Sequence, residues 1–241
     1  MKKLITFLGN TEYKNCIYTY KGRKATESRF VQTAIYELFC QDFTSEDKII
    51  IFLTEEAENK NWNDSKGRNG EVLEGMENAW KRINSELLER NQIKKVQISS
   101  RQNEDHNWKL FGQILDEIQD EDEIIFDITN GFRSFPILAL IILNYARILK
   151  KASLKRLLYG CFEMKDKGTP PTAPIIDLTK MVLLFNWTHG VDSYIQTGNA
   201  SVIRSLTNEK NGSFKIGVTH EESEALKKLA DCSHEFHQIM Q

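Results

Sequence analysis

The pattern that most constrains this chain is an alternation. β-rich apolar runs recur at residues 4–8, 48–53, 94–98, 123–128 and 154–162, and stretches of helical periodicity separate them. A chain that leaves one strand through a helix re-enters the sheet at the opposite end, so such repeats pair in parallel through right-handed crossovers. The expected fold class is α/β: a doubly wound, mainly parallel Rossmann-like sheet over residues 1–178, followed by a helical C-terminal segment over 179–241.

The first helix is expected to start at Thr26 as its cap, with Arg29, Phe30, Ile35 and Leu38 at helical spacing. A second is expected over 70–90, its stripe formed by Leu73, Met76, Trp80, Ile83 and Leu87, and a third over 108–118. The acidic run 120–123 reads as a solvated turn. A fourth helix, over 136–151, is apolar nearly all round, so it is either central or a dimer face. Residues 164–171 are rich in turn formers and 173–178 read as a return strand. The remainder reads as helical: 181–193, a break at Gly198 and Asn199, a short helix near Val202, and an amphipathic segment over 219–240 capped by Thr219 with Glu221 and Glu222 in its first turn. The helical pattern still runs where the sequence stops, which predicts an effector domain or partner beyond Gln241.

Charge and composition narrow the classes. With 32 Lys+Arg against 34 Asp+Glu, no global basic field draws the chain to nucleic acid or anionic membrane, so any polyanion site is local. At 40% hydrophobic, 27% charged and 4 Pro, collagen-like, disordered and integral-membrane classes are excluded. The longest apolar run, 135–143, falls short of the roughly 20 residues that span a bilayer. The N-terminal segment is too short for a signal sequence and lacks a cleavage site, so a cytoplasmic address is expected. Cys16, Cys40, Cys161 and Cys232 stand singly and read as spectator thiols. His234 and His237 lack a third ligand and read as a surface pair, so no metal and no cofactor is expected.

In open parallel sheets ligands bind beyond the carboxyl ends of the strands. Two segments fall there. In Phe7-Leu8-Gly9-Asn10-Thr11 a strand runs into a tight turn with free amides. In Asp127-Ile128-Thr129-Asn130-Gly131-Phe132-Arg133-Ser134 a strand leads into the apolar helix. Thr129, Asn130 and Ser134 can bond phosphate oxygens, Gly131 permits close approach, Arg133 is a bidentate cation, and the helix N-terminus adds partial positive charge. The plainer reading keeps Asn130-Gly131 as a turn, Ser134 as an N-cap and Arg133 as solvated. Neither segment has the glycine spacing of a dinucleotide fingerprint or a P-loop. The segment after the second strand, from Thr54 and Glu55 to Trp62, emerges on the same edge. It could form a lid with Trp62 over a base and Lys66 or Arg68 near phosphate, or Trp62 could simply pack.

Phe7-Leu8-Gly9 with the nearby Tyr20, taken with the motif from Asp127 to Pro136, resembles the CRISPR-associated proteins named for an Asp-x-Thr-His-Gly motif, which carry a CARF domain, the CRISPR-associated Rossmann fold. The resemblance extends to 185–198, where Trp187 and Gly198 fall in the family's helical connector. This chain departs at Asn130, where the family usually has His. The resemblance implies a homodimeric sensor binding a cyclic oligoadenylate, tetra- or hexa-adenylate, across its twofold axis in type III CRISPR defence. Thr129, Asn130, Gly131, Phe132, Arg133 and Ser134 would form one wall and Gly9, Asn10 and Thr11 the other, with Phe132 packing under its loop rather than stacking on a base.

Family members often end in a ribonuclease domain with an Arg–His dyad. Arg101 and His106 fit the spacing only at chance frequency and in the sheet region, so they are not read as catalytic. An alternative is a slow ring nuclease using Thr129, Arg133 and Ser134, although Asn130 removes the titratable base. Last comes a DNA-binding regulator. Lys227 and Lys228 are outnumbered by Glu221, Glu222, Glu224, Asp231 and Glu235, so no direct DNA binding is expected.

Overall fold

The computed structural model describes residues 1–201 and 203, apart from Arg68, Gln102 and Arg133. Two compact units divide the chain, Met1–Leu178 and Thr179–Gln241.

In the first unit, β1 (Lys2–Leu8) leads to an edge hairpin, β2 (Ile17–Tyr20) and β3 (Arg23–Lys24), and then to α1 (Val31–Phe39). After β4 (Lys48–Leu53) come a single turn, α2 (Glu55–Ala57), and a π-helical turn, Glu58–Trp62. A small hairpin, β5 (Ser65–Lys66) and β6 (Val72–Leu73), precedes α3 (Met76–Asn84) and α4 (Glu86–Glu89). The unit continues through β7 (Ile93–Gln97), α5 (Glu104–Asp116), β8 (Glu123–Asp127), α6 (Phe135–Leu149), β9 (Ser153–Gly160) and β10 (Thr172–Asp177). The eight-stranded sheet runs β3-β2-β10-β9-β8-β1-β4-β7. From β9 to β7 every pairing is parallel, and β10 closes antiparallel on β9. The fold is thus the expected mainly parallel, Rossmann-like α/β class.

Strand residues of one parity (Leu4, Leu8, Ile49, Ile51, Leu53, Ile125) pack with Phe30, Val31, Ile35, Met76 and Trp80 of the α1–α3 layer. Those of the other parity place Phe7, Phe52 and Phe126 against Phe135 of α6, with ring centroids of Phe7 and Phe135 4.0 Å apart. The near-continuous apolar strands are what a sheet buried on both faces requires.

Four local expectations are corrected. The first helix begins at Val31, not Thr26, whose amide and hydroxyl instead donate to the Glu37 carboxylate (2.8 and 2.7 Å). Residues 25–29 complete the edge hairpin, with Ser28 bridging to Cys16, and Arg29 turns inward to the carbonyls of Tyr13 and Glu74. The second helix begins at Met76 because residues 72–73 pair as a strand and the chain crosses itself at Gly75, where a Cβ would lie 2.3 Å from the carbonyl carbon of Asn63. The acidic run is not wholly solvated. Asp122 is 1% exposed, accepts from Lys3 Nζ at 2.7 Å, the terminal ammonium at 3.2 Å and the Gln119 amide at 2.6 Å, and so pins β1 to the start of β8. The third helix starts four residues earlier than the periodicity implied, because Asn103 caps it by accepting from the His106 amide at 3.0 Å.

In the second unit, α7 (Thr179–Thr197) ends at Gly198, whose φ of +70° is the left-handed stop glycine supplies. Val202 and the segment from 204 onward, with the expected helix over 219–240, Cys232, His234 and His237, lie outside the described residues. Among the described residues no helix is long and apolar enough to cross a membrane. Cys16, Cys40 and Cys161 are free and buried, and burial pushes the Cys16 and Cys40 thiols up.

Candidate functional site

From β1 the chain steps to β4 and β7 on one side, then jumps back to β8 and β9 on the other. Strand order therefore reverses between β1 and β8, and the crevice beyond their carboxyl ends is where an open α/β sheet binds ligands. The two glycine loops singled out in the sequence meet there. A Cβ built on Gly9 would lie 3.7 Å from the Asn130 carbonyl oxygen and 2.8 Å from the Tyr13 hydroxyl.

The β8 loop is held from below by Asp127, which is fully buried. Its Oδ2 accepts from the Thr6 hydroxyl at 2.6 Å, and its Oδ1 accepts from both the amide (2.9 Å) and the hydroxyl of Thr129. Among the described residues no cation pairs with it, and burial holds its carboxyl above the usual carboxylate range. Thr129 Oγ1 in turn accepts from the Gly160 amide at 2.8 Å, stitching β8 to β9. With its one proton given to Asp127, this hydroxyl has none for a phosphate. Thr129 supports the loop from behind.

Gly131 also has a structural reason: a Cβ there would lie 2.5 Å from the ring of Phe135, which is wedged between Phe7 and Phe126. Gly131→Ala is therefore expected to cost about 1–3 kcal/mol by overpacking, measured as a melting temperature lowered by several degrees; an unchanged value would show that Phe135 has room to yield. Asn130 and Phe132 are half-buried and Ser134 is exposed, making no capping hydrogen bond. No hydrogen bond from the amides of Asn130 or Gly131 is found among the described residues. Arg133 lies outside them.

The electrostatics at this edge come from helix ends. The first turn of α6 has no acidic residue and includes Pro136, and α1 begins without one beside Gly160, where a Cβ would lie 2.4 Å from Val31. Both N-termini present partial positive charge to the crevice. By contrast α2 carries Glu55 and Glu56 in its only turn, and Glu56 accepts from the Asn10 side chain at 3.0 Å.

The remaining expected residues divide. Gly9, Asn10 and Thr11 border the crevice with Asn130, and Asn10 and Thr11 are exposed. Thr54 is a buried cap accepting from the Ala57 amide at 3.2 Å, and Glu55 is exposed. Trp62 does not offer a stacking face. It is 6% exposed, with Lys95 Nζ 4.7 Å from its ring centroid, and belongs to the core under the π-helical turn. Lys66 is exposed on β5, and Arg68 lies outside the described residues. Arg101 is exposed, while His106 sits in the first turn of α5 against its cap Asn103. Four contributors escaped the sequence reading: Thr6, Tyr13, Gln32 and Asn61. Gln32 donates to the Phe7 carbonyl at 2.5 Å, and Tyr13 accepts from the Gly9 amide at 2.7 Å, its phenol pushed up by burial. Only the position of Thr6 on the first strand carried any prior signal.

The chain matches the family described as the CARF domain of the CRISPR system endoribonuclease Csx1 over residues 3–162, which takes in the parallel sheet and both glycine loops. A CRISPR-associated protein of Methanocaldococcus jannaschii, MJ1674, is 33% identical over 101 residues, covering 42% of this chain and 16% of that protein. The alignment thus spans well under a fifth of that relative's length. With a matching span that covers most of the described sheet unit and contains the switch-point crevice, the chain belongs to the CARF-domain family of CRISPR-associated proteins.

Proposed function

We propose that this CARF-domain sensor binds a cyclic oligoadenylate, of four or six nucleotides, at the crevice between β1 and β8, and passes binding through a homodimer to an effector. The observation that carries this reading is the meeting of the Gly9 and Asn130 loops at the switch point, with acid-free helix N-termini behind them. A ring of phosphodiesters needs repeated neutral donors and a few cations, and a twofold axis supplies each loop twice. The amides of Asn130 and Gly131, the Ser134 hydroxyl and the Arg133 guanidinium provide the donors on one wall; Asn10 and Thr11 provide them on the other. Thr129 stands behind them, which weighs against the ring nuclease alternative, since its hydroxyl proton is already engaged by Asp127.

Calorimetric titration with the tetra- and hexa-adenylate rings tests this. Saturable binding of one ring per two protomers is expected. Arg133→Ala should weaken it by more than about tenfold at an unchanged melting temperature, since each protomer loses a charge-assisted contact of about 1.5–3 kcal/mol. No heat with either ring would sink the reading. Equal affinity of Arg133→Ala would remove that residue from the site.

A further inference from the structure

Asn61 lies on the π-helical turn after β4, 1% exposed, far from both loops in sequence. Its side-chain amide nitrogen donates to two carbonyls of the β1 loop, Gly9 O and Thr11 O, each at 2.8 Å. These are two of the backbone acceptors of that loop, and both are drawn inward by one buried side chain. A trans peptide fixes the consequence, because its carbonyl and the next amide point in opposite directions. With Gly9 O turned in, the Asn10 N–H is turned out; with Thr11 O turned in, the Glu12 N–H is turned out. The Asn10 amide has no hydrogen-bond partner among the described residues.

Other anchors leave the orientation to Asn61. Tyr13 takes the Gly9 amide and Arg29 takes the Tyr13 carbonyl at 3.1 Å, so both ends of the loop are fixed, and neither of these bonds is made to the Gly9 or Thr11 carbonyl. The turn that bears Asn61 is itself immobilised. Trp62 is buried, and Lys95 caps its ring while pairing with Glu58. The Asn10–Glu56 contact is exposed and acts on a side chain rather than on the backbone.

We infer that Asn61 is a positioning residue for anion recognition: it turns the Gly9 and Thr11 carbonyls inward so that the Asn10 amide faces a phosphodiester in the crevice. This rests on the ring-binding reading above. Asn61→Asp keeps the shape and replaces the donor by an acceptor facing two carbonyls, whereas Asn61→Ala removes the donor and leaves the loop free to relax should the aspartate variant fold poorly.

The test uses the full chain with 15N-labelled asparagine, titrated with whichever adenylate ring the wild type binds. The wild-type Asn10 amide proton is expected to move downfield on saturation. Either variant that keeps its melting profile should bind at least about tenfold more weakly and, at saturating ring, should lose that shift. A purely structural role would lower stability but leave the saturated Asn10 shift intact, and that result overturns the inference while leaving the ring-binding reading standing. Wild-type affinity in both variants overturns it too. Failure of the wild type to bind either ring overturns the reading and the inference together.

Discussion

Asp127→Ala is expected to destabilise the sheet unit by about 3–5 kcal/mol, because it strands three donors at once: the buried Thr6 hydroxyl and the half-buried Thr129 hydroxyl and amide. Freed from its anchor, Thr129 also loses its reason to hold the Gly160 amide, so the β8–β9 seam under the crevice loosens. Asp127→Asn is the informative partner. Its Oδ1 can keep both Thr129 bonds, and its nitrogen can donate to a reoriented Thr6 hydroxyl, so the network survives without an ionisable group. Burial raises the Asp127 carboxyl in the folded protein above its ordinary 3.8, so the folded state holds this proton more tightly than the unfolded chain does. Its contribution is therefore fully present below pH 3.8, and stability is lost as pH rises from there through the raised folded value. Denaturant unfolding across that window should show the wild type losing ground to Asp127→Asn as pH increases. A constant difference would mean that the donors hold the carboxylate as well as water does.

The legible and illegible parts of this molecule separate by the range of the interactions that fix them. Runs such as 48–53 and 123–127 were readable because a strand buried on both faces must be apolar along its length, and burial leaves that mark locally. The glycine loops were readable because turn chemistry is also local. Thr26 misled because a cap is decided by what the chain does next, and here an edge hairpin had still to be completed. Asp122 misled because nothing in an acidic run distinguishes the one carboxylate that a lysine more than a hundred residues away will bury. The structural uses of Thr129 and Gly131 went unread for a similar reason. Both residue types suit phosphate contact, and only the positions of Asp127, Gly160 and Phe135 show what their hydroxyl and missing side chain are used for. Asn61 had no sequence signal, since its two acceptors are backbone carbonyls that no side-chain pattern records.

The face of α6 turned away from the sheet sets up the other large effect. Ile137, Ile141, Tyr145 and Ile148 are 69%, 53%, 43% and 54% exposed, and their spacing of four, four and three residues puts them on one stripe. Phe111 stacks edge-on against Tyr145 and Trp108 against Phe111, so the patch continues onto α5, where Trp108 is 66% exposed. Contiguous apolar surface of this extent marks an interaction face in a folded protein. In the proposed homodimer a twofold axis running alongside α6 would set the two helices parallel and bring both N-termini, with both pairs of glycine loops, to the same end. One ring would then be shared between them. Ile141→Asp places a charge at the middle of the stripe without touching the core. It should halve the mass seen by light scattering at micromolar concentration and weaken ring binding by more than about a hundredfold, since each protomer keeps only half of the donors. Full ring affinity in a monomeric Ile141→Asp protein would show that a single crevice is a complete site. An unchanged dimer mass would move the interface away from α6, and with it the geometry by which one ring could reach both copies.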